Sequence, residues 1–521
     1  AAARAGPLSG SIPDERFSFQ GGRPLTDAEE AEVAAWLEAQ AERRIDTACA
    51  RVFLTPERAF KVKRRLDLGY LDYSTLELRR WALDRELRFN RAAAPDIYRT
   101  VRAITRMADG GLEFDGEGEP VEFALEMRRF DETAVLSAQP WAVDGSLADS
   151  LGRTVAGFHA AAPLRPEGGG GRALKFTIDS NAQLLRELAP RLGAERVEAV
   201  IAATDRAFFQ HQALLDARAL GGFARHCHGD LHLGNILLED GRPILFDCIE
   251  FNDTLSDVDV QYDIAFLLMD LDFRRRRDAA VRVLSAYLDE AARHFGPELW
   301  DGLATLPLMM AVRAAVRAHV WAHTGDDAAA GAYLDAALAH LSPPKARLLA
   351  VGGMSGTGKS TFARLVAPGI GAAPGAIVLR TDEVRKRLMG VAPDSRLPAS
   401  AYGPGFYEQV YDTLFSEAGQ ALAAGRAVVL DATFISPDLR RRAEALATGQ
   451  GVAFDGVWLE APVEILAARI DARHGDASDA TVETLRKQLD QEVGAVQWAR
   501  IDASGSADEA AEAWSHLQTP A

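Results

Sequence analysis

The apolar run Leu348 to Gly352 leads directly into Gly353-Met354-Ser355-Gly356-Thr357-Gly358-Lys359-Ser360, and Thr361-Phe362-Ala363-Arg364 continues with helical character. A strand, a glycine-bounded loop and a helix in immediate succession demand a βα unit, and they restrict the fold more than any other stretch. The glycines let the backbone bend until N–H groups from Gly353, Ser355, Gly356, Thr357 and Gly358 through Thr361 face one phosphate group. Lys359 then reaches between the β- and γ-phosphates, and the Ser360 hydroxyl binds Mg²⁺. A simple glycine-rich turn is the competing reading, and both flanks weigh against it. The stretch predicts an ATP site on an α/β P-loop domain with a parallel sheet.

The chain downstream fits that site. Ile377 to Asp382 reads as a buried strand ending in a carboxylate, and Asp382-x-x-Arg385 follows at the strand-to-helix turn. Such a spacing offers Asp382 as a base for a hydroxyl and Arg385 as a clamp for the incoming group or phosphate. A further strand, Ala427 to Asp431, ends in a candidate Mg²⁺ ligand, Asp431, with a simple capping role as the alternative. Arg469 and Arg473, four residues apart, predict a lid arginine that offsets charge on the transferred phosphoryl, against the alternative of a solvated basic face.

A second, unrelated signature lies upstream: His228-Gly229-Asp230-Leu231-His232-Leu233-Gly234-Asn235. A carboxylate and an amide five residues apart suit an Asp230 base and an Asn235 ligand to a phosphate-bridging Mg²⁺, with His228 as a structural support of the loop. Ile236-Leu237-Leu238, a turn at Asp240-Gly241, and Pro243 to Asp247 read as a hairpin that returns Asp247, a second Mg²⁺ ligand, beside Asn235. Asp257, Asp259 and Asp263 read as capping or pairing groups around Tyr262. Arg51–Leu54 and Ala59–Arg64 flank Thr55-Pro56-Glu57 as another hairpin, and Ser74-Thr75-Leu76-Glu77 reads as a capping box that launches a helix to about Ala93.

His-Gly-Asp with Phe246-Asp247-Cys248 resembles the aminoglycoside phosphotransferase and choline kinase branch of the kinase-like fold, an α+β fold. The resemblance implies a strand lysine that pairs with the α- and β-phosphates, Lys61 or, on the same face, Lys63. It implies Glu86 as that lysine's partner and Glu126-Met127-Arg128 as a hinge touching adenine. The segment from Asp382 to Arg385 resembles the polynucleotide kinase, zeta toxin and gluconate kinase group. In this order the two halves resemble the bacterial bifunctional aminoglycoside phosphotransferase/ATP-binding protein family over about residues 45 to 500, a likeness of architecture that does not carry an aminoglycoside substrate with it.

The remaining features set limits. At 521 residues the chain fits several domains: an N-terminal helical extension over 1–45, with a helix from about Thr26 to Arg44, a kinase-like domain over 46–343, and a P-loop kinase domain over 344–521, parted at Ser342-Pro343-Pro344. Helices dominate from about Ser146 to Arg218 and from Asp263 to about His340, with a loop expected at Gly168–Gly171. A formal charge of -17 counts against a long polynucleotide and favours a small or cationic substrate, with a nucleotide-sized acceptor left open, so the expected partners are small-molecule or nucleotide-like hydroxyl acceptors. Three cysteines without paired spacing point to a reducing cytoplasm. No uninterrupted apolar run reaches bilayer length, so no membrane association is expected, and the start lacks a signal-peptide pattern; the missing initiator Met suggests a trimmed terminus. The leading reading is a bifunctional ATP-dependent phosphotransferase. The alternatives make one domain a regulatory nucleotide sensor, or make the P-loop half a nucleic-acid 5'-hydroxyl or toxin-like kinase. The identity of each acceptor and the oligomeric state are not encoded in any local motif.

Overall fold

The computed structural model describes residues 26–67, 71–472 and 478–518. By packing, the described residues form two compact units, those within 26–139 with 226–257 and those within 140–225 with 258–518.

The first unit is built on a six-stranded antiparallel sheet ordered Arg43–Asp46, Ala50–Leu54, Arg58–Lys63, Pro120–Arg128, Tyr98–Arg106, Leu112–Phe114. Side chains alternate across a strand, and here that period divides two apolar layers. Phe60 and Val62 join Val33 and Leu37 of the helix Asp27–Glu38 on one face. Ala59 points to the other, where Leu83 of the helix Leu76–Ala93 packs with Leu125 and Met127. Lys61 and Lys63 lie on this second face, so both reach the same helix. The helix Asp27–Glu38 is shorter than the expected run to Arg44, because Arg43–Asp46 is drawn into the sheet as an edge strand.

One local expectation shifts by a residue and another is met. The helix Leu76–Ala93 is capped by Thr75, whose hydroxyl accepts from Leu78 N at 3.3 Å; Ser74 is not the cap, and with Leu78 at the third helical position the expected box with Glu77 does not form. The hairpin Ile236–Glu239 with Arg242–Leu245 turns where expected, with Asp240 and Gly241 both at positive φ, 50° and 73°. Two left-handed residues in succession give the twist that two-residue hairpin turns require.

The second unit combines long helices with a parallel sheet. Its helices include Gly145–Ala161, Gly170–Leu192, Ala194–Arg218, Val260–Phe273, Arg277–Ala291, Leu306–His323 and Asp327–His340. Gly170 and Gly171, expected in a loop, are buried in the first turn of a helix. A Cβ on Gly171 would lie 2.9 Å from the Asp216 carboxylate that its N–H contacts. The stretch Glu298–His323 is helical, long and apolar enough to cross a membrane by composition, which the count of uninterrupted apolar residues missed. It is a core element, with 78% of its most apolar window buried.

The sheet runs Ile377–Arg380, Val428–Asp431, Arg347–Gly353, Ala453–Glu460, Ala499–Asp502, all parallel. The expected break near 344 is present in the chain but does not divide the packing. Val281, from the helix Arg277–Ala291, belongs to the apolar core under the sheet with Leu349, Phe362 and Val378, and Val378 N donates to Ser285 Oγ at 3.0 Å.

Candidate active sites

In the first unit, Lys61 Nζ donates to Glu86 Oε1 at 2.7 Å and to Asp247 Oδ1 at 2.9 Å. Glu86 is fully enclosed, and its second oxygen accepts from Lys63 Nζ at 2.6 Å, so the two candidate lysines share one carboxylate. Burial alone would raise the Glu86 carboxyl, but the two ammonium charges overrule it and hold it down at about 2. The same balance raises Lys61, whose burial is outweighed by Asp247 and Glu86. Lys63 also binds Glu250, which accepts from the Tyr73 hydroxyl at 2.8 Å. Glu250 is a site-shell carboxylate that the sequence reading passed over, although it stands three residues after Asp247.

Main-chain bonds fix the loops that carry the other groups. Phe246 N donates to Asn235 O at 3.0 Å, which returns Asp247 beside Asn235 as the hairpin predicted. Asp247 has φ +62° with its N–H on the Tyr98 hydroxyl, and Cys248 N donates to Asn90 Oδ1 at 2.7 Å, tying this turn to the helix that bears Glu86. His228 lies buried within 2.8 Å of the Phe246 carbonyl through Nε2, the supporting role expected of it. Asn235 Nδ2 donates to the Asp230 carboxylate at 3.0 Å and to its carbonyl at 2.9 Å, so the amide oxygen is turned the other way. Asp230 and Asp247 keep side-chain exposures of 39% and 46%, which leaves both carboxylates open to a ligand. Gly229 at φ +82° allows the close pass: a Cβ there would meet the Leu255 carbonyl at 3.0 Å.

Met127 does not present a free hinge. Its backbone is in register with both Ala59 and Tyr98 inside the sheet, and its side chain is core. The chain leaves the sheet after Arg128. Asp257 lies 2.6 Å from His226 Nδ1, Asp259 caps the helix Val260–Phe273 and pairs with Arg218, and Asp263 lies 3.1 Å from His159.

In the second unit the loop from Gly353 to Gly358 has Gly353, Gly356 and Gly358 at φ +141°, +89° and +86°. A Cβ on Gly353 or Gly356 would sit 2.6 Å from the Leu459 or Leu466 carbonyl, so these positions exclude other residues by space as well as by φ. Ser355 N donates to Gln488 Oε1, and Lys359 Nζ donates to the Met354 carbonyl at 2.8 Å. Ser360 and Thr361 open the helix Lys359–Val366.

Ser360 and Asp431, the two expected metal ligands, are joined by a residue that the sequence reading assigned no role. Arg380 Nη2 lies 3.0 Å from Ser360 Oγ, and Arg380 Nε lies 3.1 Å from Asp431 Oδ2. Asp382 falls in the first turn of the helix Thr381–Leu388 instead of ending the strand. Burial pushes its carboxyl up and the Asp431 charge adds to this, against Arg380 and Arg385. Arg385 is buried over the Tyr402 ring and donates to the Ala401 carbonyl at 2.9 Å. Arg469 is occupied elsewhere than the expected lid: its guanidinium donates to the carbonyls of Ala503, Ser504 and Gly505, where it anchors the turn after the last strand. Arg473 lies outside the described residues.

Residues 80–303 match the phosphotransferase enzyme family, and residues 348–492 match an AAA domain. An uncharacterized protein of Mycobacterium tuberculosis is 32% identical over 481 residues, covering 88% of this chain and 92% of its own. The chain belongs to the bacterial bifunctional aminoglycoside phosphotransferase/ATP-binding protein family. It is therefore a phosphotransferase of the kinase class. Solved structures that it matches include a choline kinase of Cryptosporidium parvum, at 9% identity and TM-score 0.39 over 60% of this chain and 93% of that one. A gluconokinase of Sinorhizobium meliloti matches at 19% identity and TM-score 0.23, over 33% of this chain and 98% of its own.

Proposed function

We propose that the family's two domains are two ATP-dependent kinases, each moving the γ-phosphoryl group to a hydroxyl of a small-molecule or nucleotide-like acceptor. The observation that carries this reading is the ion cluster of Lys61, Glu86 and Asp247. These groups are separated by 25 and 186 residues from Lys61 and meet beside the Asp230–Asn235 pair. A cluster of that kind has a direct chemical use. Glu86 holds Lys61 charged and aimed, so that the ammonium is ready for phosphate oxygens.

The side chains fit MgATP at both sites. Asp247 and the Asn235 amide oxygen in one, and Ser360 and Asp431 in the other, are hard oxygen donors of the kind Mg²⁺ selects. A Mg²⁺ held by these oxygens would supply charge neutralisation to the phosphates. Around it, Asp230 accepts the acceptor hydroxyl's proton in the first site, and its bond from Asn235 sets the carboxylate's direction. In the second site the glycine loop offers amide N–H groups to phosphate, and Asp382 takes the proton. Its raised affinity for a proton matches a base that works closer to neutral pH. Arg385, close by in the same helix, holds the acceptor side of the pocket.

Asp230→Asn and Asp382→Asn decide the matter. With labelled ATP and a metabolite extract, each variant is expected to lose one labelled product and keep the other. Retention of every product in both variants overturns the reading.

A further inference from the structure

Arg380 stands where two oxygen ligands converge. Its guanidinium contacts Ser360 Oγ, Asp431 Oδ2 and, through Nη1, Glu383 Oε1 at 3.1 Å. All three contacts come from one side chain that is 3% exposed at the end of the strand Ile377–Arg380. A strand ending here would ordinarily aim its last side chain at solvent or substrate. This one is instead aimed between the loop serine and the carboxylate that the proposed function assigns to the metal.

Glu383 keeps the guanidinium from leaving altogether. The same carboxylate oxygen lies 3.5 Å from Arg364 and 3.9 Å from Arg153, so it sits among three guanidinium groups. Burial would raise this carboxyl, but Arg380, Arg364 and Arg153 overrule it and keep it ionised. Arg380 thus has a tether at one end and two exchangeable partners at the other.

We propose that Arg380 is a built-in counter-cation for the second site: its guanidinium fills the cation position between Ser360 and Asp431, and divalent metal binds there only by displacing it onto Glu383. The inference rests on the reading of Ser360 and Asp431 as metal ligands. Its physical basis is charge balance. A buried carboxylate such as Asp431, 5% exposed, needs a positive partner at all times, and guanidinium and Mg²⁺ cannot occupy one position together. Coupling nucleotide arrival to that exchange would keep the loop serine and Asp431 in place between turnovers. It would also make metal binding depend on nucleotide.

The test counts metal directly. Mn²⁺ is titrated into the full-length protein carrying Asp247→Ala, which removes the carboxylate of the first site's two proposed metal ligands, and free Mn²⁺ is read by electron paramagnetic resonance with and without a non-hydrolysable ATP analogue. With Arg380 intact, stoichiometric binding is expected only with the analogue. With Arg380→Gln, Mn²⁺ is expected to bind without nucleotide, and the midpoint with nucleotide is expected to fall by about 5- to 150-fold, the usual span of a coupling between two ligands. Arg380→Lys guards against a folding failure, since one ammonium keeps the charge but cannot bridge Ser360 and Asp431; its midpoint is expected between the other two. Equal midpoints in all three proteins, or a need for more Mn²⁺ without Arg380, overturn the inference and leave the metal reading standing. No nucleotide-dependent Mn²⁺ in any of the three overturns both.

Discussion

The two sites solve one electrostatic problem in opposite ways. In the first, an ion cluster is assembled in advance: two lysines share Glu86, while the outer carboxylate, Asp247, stays 46% exposed. In the second, the Asp431 carboxylate is the buried part, and the Arg380 guanidinium covers it together with the Ser360 hydroxyl. The first arrangement sets two lysines against three carboxylates, Glu86, Glu250 and Asp247, and keeps the outermost of them open; the second covers a buried carboxylate with a guanidinium. The two sites therefore need not respond alike to metal, acid or a lost charge.

The sharpest way to break the contrast is to remove the base on each side. Asp230→Asn and Asp382→Asn should each lower the turnover of one activity by about 10²- to 10⁴-fold, the usual worth of a general base, and spare the other. Rates for the two labelled products, measured separately, test this.

Glu86→Gln probes the lysine pair. It leaves Lys61 and Lys63 facing each other around a neutral amide, and breaking a buried pair in this way costs about 3–5 kcal/mol. Chemical denaturation of full-length protein should show the first unit melting earlier, with the P-loop site still binding nucleotide. A matching acid dependence follows: the folded Glu86 carboxyl sits below its unfolded range, so the stability it lends is complete above about pH 4 and is lost as pH falls towards about 2. An unfolding curve for Glu86→Gln that keeps the wild-type acid sensitivity would break this part of the comparison.

Acid should also separate the two activities. Because Asp382 is raised, the second activity should fall on acidification at a pH above the ordinary carboxylate range of about 4, since protonation removes the base. A pH–rate profile of kcat for the second product, with the acid limb at or below about pH 4, contradicts the assignment of Asp382. The smallest effect belongs to a cap: Thr75→Ala should cost about 0.5–2 kcal/mol by freeing the Leu78 N–H, whereas Ser74→Ala should cost less.

What could be read from the chain was what local chemistry dictates. The glycine loop, the hairpin through Asp240-Gly241 and the break before the parallel sheet follow from φ requirements and strand patterning, and Lys61 with Glu86 followed from family order. The missed features are tertiary. Arg380 is an unremarked residue at the end of a buried strand until Ser360 and Asp431, 20 residues before and 51 after it, are folded against it. Glu250 acquires its place only when Lys63 and Tyr73 close on it. Arg469 was read from its helix spacing, but three carbonyls after the last strand compete for it. The capping error was one of local choice, because Ser74 and Thr75 both supply a suitable hydroxyl and only backbone geometry selects between them.

Val281 has a consequence for how divisible this polypeptide is. A fragment that begins at the proline break would contain every motif of the P-loop kinase and still lack a side chain that fills its interior, along with the hydroxyl of Ser285 that satisfies a strand amide. The fused order of the chain is thus written into its hydrophobic interior, and a dissection that respects the fold has to carry the helix Arg277–Ala291 along with the sheet.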